Sequence, residues 1–257
     1  MATVALVQLE INDEESVEAR IARAVGIVDE QTADLVVLPE LWHCGAFDVE
    51  KAREYAEPID GPLVTTLSQT AARNKVWLHG GSFTELANDG EHYNTSVFFD
   101  PNGNLVCSYR KIHLFGFDGG ETVLMSGGEE LIVVDTPLGP TGIATCYDLR
   151  FPEMFRALNE GGAEAFLLCS GWPGVRINHW DALTVARAIE NQVWVVACNE
   201  VGTHAGVTLG GHSTVVDPLG EVIARGGDSE EVVLAEVDPS KVASWRAAFP
   251  AQKDRRF

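Results

Sequence analysis

Short apolar runs alternate with amphipathic stretches along this chain. Residues 3–9 and 35–38 are almost wholly apolar, as strands buried on both faces must be, and Pro39 ends the second run. Between them, residues 14–30 repeat apolar side chains at helical spacing, with Val17, Ile21, Ala24 and Val28 on one face. A proline at the first position opens a further helix over 62–74. The same patterns predict strands at 76–83, 165–169, 193–199 and 232–237, and helices at 152–160, 180–192 and 239–248. Hairpins are expected where 92–100 meets 105–109, around Pro101-Asn102-Gly103-Asn104, and where 212–216 meets 221–224, around Asp217-Pro218-Leu219-Gly220. A Pro137-Leu138-Gly139-Pro140 turn separates strands at 131–135 and 142–145. No long repeat or low-complexity linker interrupts the series. Residues 1–257 therefore read as a single α/β domain with two sheets' worth of strands.

Composition narrows the function classes. A formal charge of −20 repels phosphate backbones and anionic lipid, so nucleic acid and membrane partners are not expected. An ordinary acidic enzyme explains that charge, and so does a saline or alkaline habitat. No apolar run approaches the roughly 18 residues of a membrane span. The N-terminal Met1-Ala2-Thr3-Val4 shows no basic leader, and the reading is cytoplasmic. The cysteines Cys44, Cys107, Cys146, Cys169 and Cys198 form no C-x-x-C pair, which argues against a structural zinc site and for reduced thiols. Cys107, Cys169 and Cys198 lie in strand-like runs and read as core.

Cys146 differs from them. It ends the apolar run Gly142-Ile143-Ala144-Thr145 and is followed at once by the polar segment Tyr147-Asp148-Leu149-Arg150. A thiol on a strand-to-helix turn is a nucleophile elbow in outline, and a helix N-terminus lowers a thiol's pKa. The competing reading is a buried structural cysteine. Two other ionisable residues also follow strands: Glu40 after Leu38-Pro39, and Lys111 after the 105–109 strand. Functional groups of α/β sheets gather beyond the carboxyl ends of strands. A carboxylate, an ammonium and a thiol meeting there supply a base, an oxyanion partner and a nucleophile. Each also has a plain surface role, and spacing does not bring the three together.

These segments resemble the nitrilase superfamily of carbon–nitrogen hydrolases over nearly the whole chain. Leu38-Pro39-Glu40-Leu41, Tyr109-Arg110-Lys111-Ile112-His113-Leu114-Phe115 and Thr145-Cys146-Tyr147-Asp148-Leu149-Arg150-Phe151-Pro152-Glu153 resemble its glutamate, lysine and cysteine motifs, in the family's order. His179-Trp180, residues 186–191 and Gly210-Gly211-His212-Ser213 add further likeness. The resemblance implies an αββα sandwich, a Glu40–Lys111–Cys146 triad, and neither metal nor organic cofactor. It also implies a homodimer or larger assembly through the face bearing the helices near Pro152 and Trp180. Glu121, by its distance to Gly128, matches a second active-site glutamate of the family. It would hold Lys111, bind the substrate's nitrogen or assist proton transfer.

The residues after Cys146 resemble the amidase branch related to omega-amidase and deaminated-glutathione amidase, because nitrilases carry Trp-Glu there. The expected substrate is thus a small aliphatic amide or short half-amide, with the Tyr147 N–H as a second oxyanion donor. A nitrilase, an N-carbamoyl amide hydrolase, a thiol redox sensor or a catalytically inactive scaffold are the alternatives. Trp172 is expected either as an apolar acyl-site wall or as core. Gly171, where relatives carry Ala or Asn, is expected to enlarge the pocket. Ala46-Phe47 stands where relatives show a tyrosine after Gly45, which counts against carboxylate-bearing substrates. Asp148 and Arg150 are expected to brace the elbow. Arg187 and Glu190 form an i, i+3 pair on a surface or interface, and His43, His79 and His113 receive no catalytic role.

Overall fold

The computed structural model describes residues 1–116 and 119–256. In chain order the strands and helices are β1 Ala2–Gln8, β2 Glu10–Asn12, α1 Val17–Asp29, β3 Leu35–Val37, α2 Val49–Glu54, α3 Pro62–Asn74, β4 Trp77–Leu86, β5 His92–Phe99, β6 Leu105–Arg110, α4 Glu121–Leu124, β7 Val133–Thr136 and β8 Gly139–Thr145. They continue with α5 Pro152–Glu160, β9 Ala165–Cys169, α6 Ile177–Asn191, β10 Trp194–Cys198, β11 Val201–His204, β12 Val207–Gly210, β13 Thr214–Val216, β14 Val222–Arg225, β15 Glu231–Val237 and α7 Ser240–Ala248. A six-stranded sheet in the order β15-β1-β3-β4-β5-β6 faces a second in the order β14-β13-β10-β9-β8-β7. The outer faces carry helices, so the layers are αββα.

Strand periodicity builds this sandwich. Alternate residues of one strand point to opposite faces. In β1, Val4 and Leu6 join Leu35, Val37 and Phe98 against Ile143, Leu167, Val195 and Val215 of the second sheet. The residues between them, Ala5 and Val7, pack with Val36 and Leu38 against Ala24 and Val28 of α1 and Leu63 and Leu67 of α3. Both faces of the central strands are buried, which is why their sequences are unbroken apolar runs. On the other side, Phe155 of α5 meets Phe166 of β9 edge-on, with ring centroids 5.0 Å apart.

Strand direction then gathers the polar ends. β1, β3 and β4 run parallel, as do β8, β9 and β10. β6 pairs antiparallel to β5, itself antiparallel to β4, so β6 ends on the same edge as β3. The carboxyl ends of β3, β6, β8 and β9 therefore open on one side of the molecule.

The differences from the sequence expectation have local causes. The first helix starts at Val17 rather than 14, because Ser16 caps it by accepting from the Ala19 N–H at 3.2 Å. β8 begins at Gly139, which closes the turn at φ +88°, a conformation open to glycine. A third sheet, β12-β11-β2, was not expected. Its strands are three or four residues long and mix polar residues and glycine with apolar ones. No helix among the described residues is long and apolar enough to cross a membrane.

Candidate active site

Three strand ends bring Glu40, Lys111 and Cys146 together. Glu40 follows β3 through Pro39, and the next residue, Leu41, turns back at φ +44°. That reversal is held by the Leu41 N–H on Ser82 Oγ at 3.1 Å and by the Ser82 N–H on the Pro39 carbonyl at 3.2 Å. The close approach requires a glycine at 81, where a Cβ would stand 1.9 Å from the Pro39 oxygen. Cys146 opens a five-residue 3-10 turn, Cys146–Arg150, at φ +45°. A left-handed conformation outside glycine stores strain and persists only where its surroundings impose it.

Lys111 is 1% exposed and lies between two carboxylates. Its Nζ donates to Glu40 Oε1 and to Glu121 Oε2, each at 2.7 Å. Asn94 bridges the same two groups, its Nδ2 donating to Glu40 Oε1 at 2.8 Å and to Glu121 Oε1 at 2.5 Å. The one remaining oxygen, Glu40 Oε2, is also committed, and Glu121 Oε2 takes a second bond. The Gly171 N–H donates to Glu40 Oε2 at 2.9 Å, and the Phe115 N–H to Glu121 Oε2 at 2.8 Å. Sequence reasoning missed Asn94. Its signal was a poor strand former in mid-strand, where only a specific contact compensates for burying an amide.

Charge follows from this wiring. Burial opposes an ammonium at Lys111, but Glu121 and Glu40 outweigh it and hold the pKa well above the ordinary lysine value. Burial and the neighbouring Glu40 charge raise Glu121, while Lys111 pulls it down. Cys146 is 8% exposed. Burial first, and the Glu40 carboxylate second, push its thiol well above the usual range, against a smaller downward pull from Lys111. This corrects the expectation of an acidic thiol. A 3-10 turn of five residues stands where that expectation placed a helix N-terminus, and burial and Glu40 set the direction. The resting thiol is neutral and faces a carboxylate able to take its proton. His43 and His79 are buried, which lowers them to about 3 and about 4 and keeps them neutral.

A cavity of about 280 Å³ opens over these groups, walled by Phe47, Phe115, Gly120, Ala205 and Val207 with Glu40, Lys111, Glu121 and Cys146 at its base. An adjoining niche beside Cys146 is bounded by Tyr147, Arg150, Trp172 and Arg176. The guanidinium of Arg150 lies 4.6 Å above the Trp172 ring, and that of Arg176 lies 5.6 Å from the Phe115 ring. Burial and the charge of Arg176 hold Arg150 below its usual pKa, and its Nη1 lies 3.2 Å from His179 Nδ1. A larger groove of about 800 Å³, around Tyr93 and Arg110, contains none of the triad.

Two pocket expectations change. Trp172 is both wall and core: it bounds the niche, is 2% exposed, and packs 5.6 Å from Trp180. Gly171 does not enlarge the pocket. A Cβ there would stand 2.8 Å from Glu200 Oε2 and 2.9 Å from the Ala46 Cβ, so the space is already filled. What Gly171 brings to the site is its backbone N–H on Glu40. Arg187, expected on a surface or interface, is 4% exposed and donates to the Leu149 carbonyl at 2.7 Å as well as to Glu190 at 2.8 Å. Tyr147 packs between Phe115 and Phe151, at 5.3 Å from each ring.

A sandwich with this group of residues at its strand ends defines a hydrolase class. The chain belongs to the carbon–nitrogen hydrolase family, whose profile matches residues 3–247. Within it, the chain falls in the amidase branch of the nitrilase superfamily. It is 42% identical over 261 residues to the 2-oxoglutaramate amidase of Paenarthrobacter nicotinovorans, covering 98% of this chain and 89% of that protein. It is 35% identical to the human omega-amidase NIT2, covering 98% and 94%. The crystal structure of Saccharomyces cerevisiae Nit3, from branch 10 of the superfamily, superposes with a TM-score of 0.89 at 35% identity, covering 99% of this chain and 96% of that one.

Proposed function

We propose that this enzyme hydrolyses the half-amide of a short dicarboxylic acid to the diacid and ammonia, through a thioester on Cys146. The observation that carries the substrate class is the pair of guanidinium groups, Arg150 and Arg176, on the niche wall beside the thiol. A substrate amide placed at Cys146 directs its far end to these cations. A carboxylate there gains charge-assisted hydrogen bonds and offsets the burial and the Arg176 repulsion that together depress Arg150. The arginines replace the tyrosine whose absence counted against such substrates. The names of the bacterial relative, a 2-oxoglutaramate amidase, and of the omega-amidases support the same class.

In the first step, Cys146 Sγ attacks the amide carbon as Glu40 takes the thiol proton. The oxyanion settles between Lys111 Nζ and the N–H of Tyr147. Glu40 then returns the proton to the amide nitrogen, the C–N bond breaks and ammonia departs. Water attacks the thioester as Glu40 accepts its proton. The C–S bond breaks, the acid leaves, and Glu40 passes the proton to the sulfur, which restores the thiol. Glu121 holds Lys111 charged and aimed, and its position in the cavity lets it accept from the amide NH2. Asn94 keeps the two glutamates at fixed separation. Gly171 aims Glu40, and Trp172 limits acyl length.

Arg176→Gln tests the substrate assignment. A hydrogen bond to a charged group is worth about 1.5–3 kcal/mol, so KM for a half-amide is expected to rise roughly ten- to hundred-fold. For the neutral amide of the same length, kcat/KM is expected to stay nearly unchanged. Steady-state ammonia release separates the two, and equal losses on both substrates would remove the carboxylate from the proposal.

A further inference from the structure

The lysine strand and the cysteine turn meet on one residue that takes no part in the chemistry. Asp148 is 0% exposed and accepts four hydrogen bonds. Its Oδ2 accepts from the Thr145 N–H at 2.9 Å and the Tyr109 hydroxyl at 2.7 Å. Its Oδ1 accepts from the His113 N–H at 3.0 Å and pairs with His113 Nδ1 at 2.7 Å. The Tyr109 oxygen accepts in turn from the Ile112 N–H at 3.2 Å. The Tyr109 side chain before Lys111 and the backbone at Ile112 and His113 after it are thus tied, directly or through the Tyr109 hydroxyl, to a side chain two residues beyond Cys146. His113 also stacks on Phe151, with ring centroids 3.7 Å apart and planes 8° from parallel, which fixes the end of the turn.

We infer that Asp148 is a positioning residue: with Tyr109 and His113 it clamps the lysine strand to the cysteine turn, and so sets the distance from Lys111 to Cys146. This rests on the roles given to Lys111 and Cys146 above. The geometry calls for such a clamp. Cys146 holds a left-handed conformation, and the bond from Thr145 N–H to Asp148 is half of the capping box that closes its turn. Lys111 sits on the other sheet, so no strand pairing ties it to Cys146. The carboxylate is the right group because all four of its partners donate. An amide offers acceptors on one side only and turns its NH2 towards two donors.

Asp148→Asn and Tyr109→Phe test the clamp. A misplacement of about 1 Å at a reacting centre costs on the order of 100-fold, so Asp148→Asn is expected to lower kcat for the half-amide by about that factor while KM changes little. Tyr109→Phe removes one of the four donors and is expected to lower kcat less. Adding it to Asp148→Asn is expected to cost little more, because both act on one contact network. Alkylation of Cys146 by iodoacetamide gives a readout that bulk stability does not move. Its pH profile is expected to shift towards that of an ordinary thiol in both variants, measured well below their melting temperatures. If Asp148→Asn does not fold, Tyr109→Phe decides. Folded variants with kcat within about twofold of the parent and an unmoved alkylation profile overturn the clamp. Turnover by Cys146→Ala, in contrast, overturns the nucleophile itself, whatever the Asp148 variants do.

Discussion

Replacing Lys111 by Met is expected to lower turnover at least about 10³-fold, because one oxyanion donor is worth roughly 10²–10³ and the two glutamates lose their shared partner as well. The same change destabilises the fold. Glu40 and Glu121 are 2% and 6% exposed and both rest on Lys111 Nζ. Breaking a buried pair by removing one partner costs about 3–5 kcal/mol, since a charge is left uncompensated. The sign of the pH dependence follows. With the ammonium gone, its downward pull on Glu121 is lost, and burial and the Glu40 charge raise the Glu121 carboxyl further above its unfolded value than they do in the parent. A group raised on folding contributes stability below its unfolded pKa and loses it as pH climbs through the folded one. The drop in melting temperature, relative to the parent, is therefore expected to be small near pH 5 and large near pH 8. An equal drop at both values would mean that the Glu121 carboxylate does not depend on Lys111.

Glu40→Gln is expected to move two rates in opposite directions. Amide hydrolysis loses its base and falls by about 10²–10⁴-fold, the usual contribution of a positioned proton acceptor. Alkylation of Cys146 at neutral pH becomes faster. In the parent, the Glu40 charge helps to hold the thiol above its ordinary range, while Lys111 pulls it down. Removing Glu40 leaves the pull of Lys111 uncancelled, so more thiolate is present at rest. Rates of iodoacetamide labelling and of ammonia release on the same preparation check this. A parallel fall in both would show that Glu40 activates the resting thiol rather than receiving its proton during attack.

The sequence pattern carried the central strands well, because a strand buried on both faces leaves no freedom but an apolar run. Leu35, Val36 and Val37 are all fully buried, with alternate residues serving different cores. The strand ends that follow were therefore legible too, but the meeting of Glu40, Lys111 and Cys146 was not, since strand pattern says nothing of how two sheets face each other; only the family resemblance implied it. Contacts made across the fold were not legible. Asn94 reaches Glu40, 54 positions away, and Asp148 reaches Tyr109, 39 positions away. No local pattern encodes either. Gly171 was misread because a missing side chain looks like space, when Glu200 and Ala46 fill it. The thiol's charge was misread for a related reason. The helix-end argument is local, whereas burial and Glu40 act through the assembled site. Arg176 lies in a short 3-10 turn, Gly174–Arg176, that looks like any exposed loop until Arg150 appears beside it.

The nucleophile is tested most directly by ammonia release from a short dicarboxylic half-amide incubated with Cys146→Ala at high enzyme concentration. The thioester mechanism predicts no release above the enzyme-free background from a variant that still melts like the parent. Release at a rate near the parent's would contradict it.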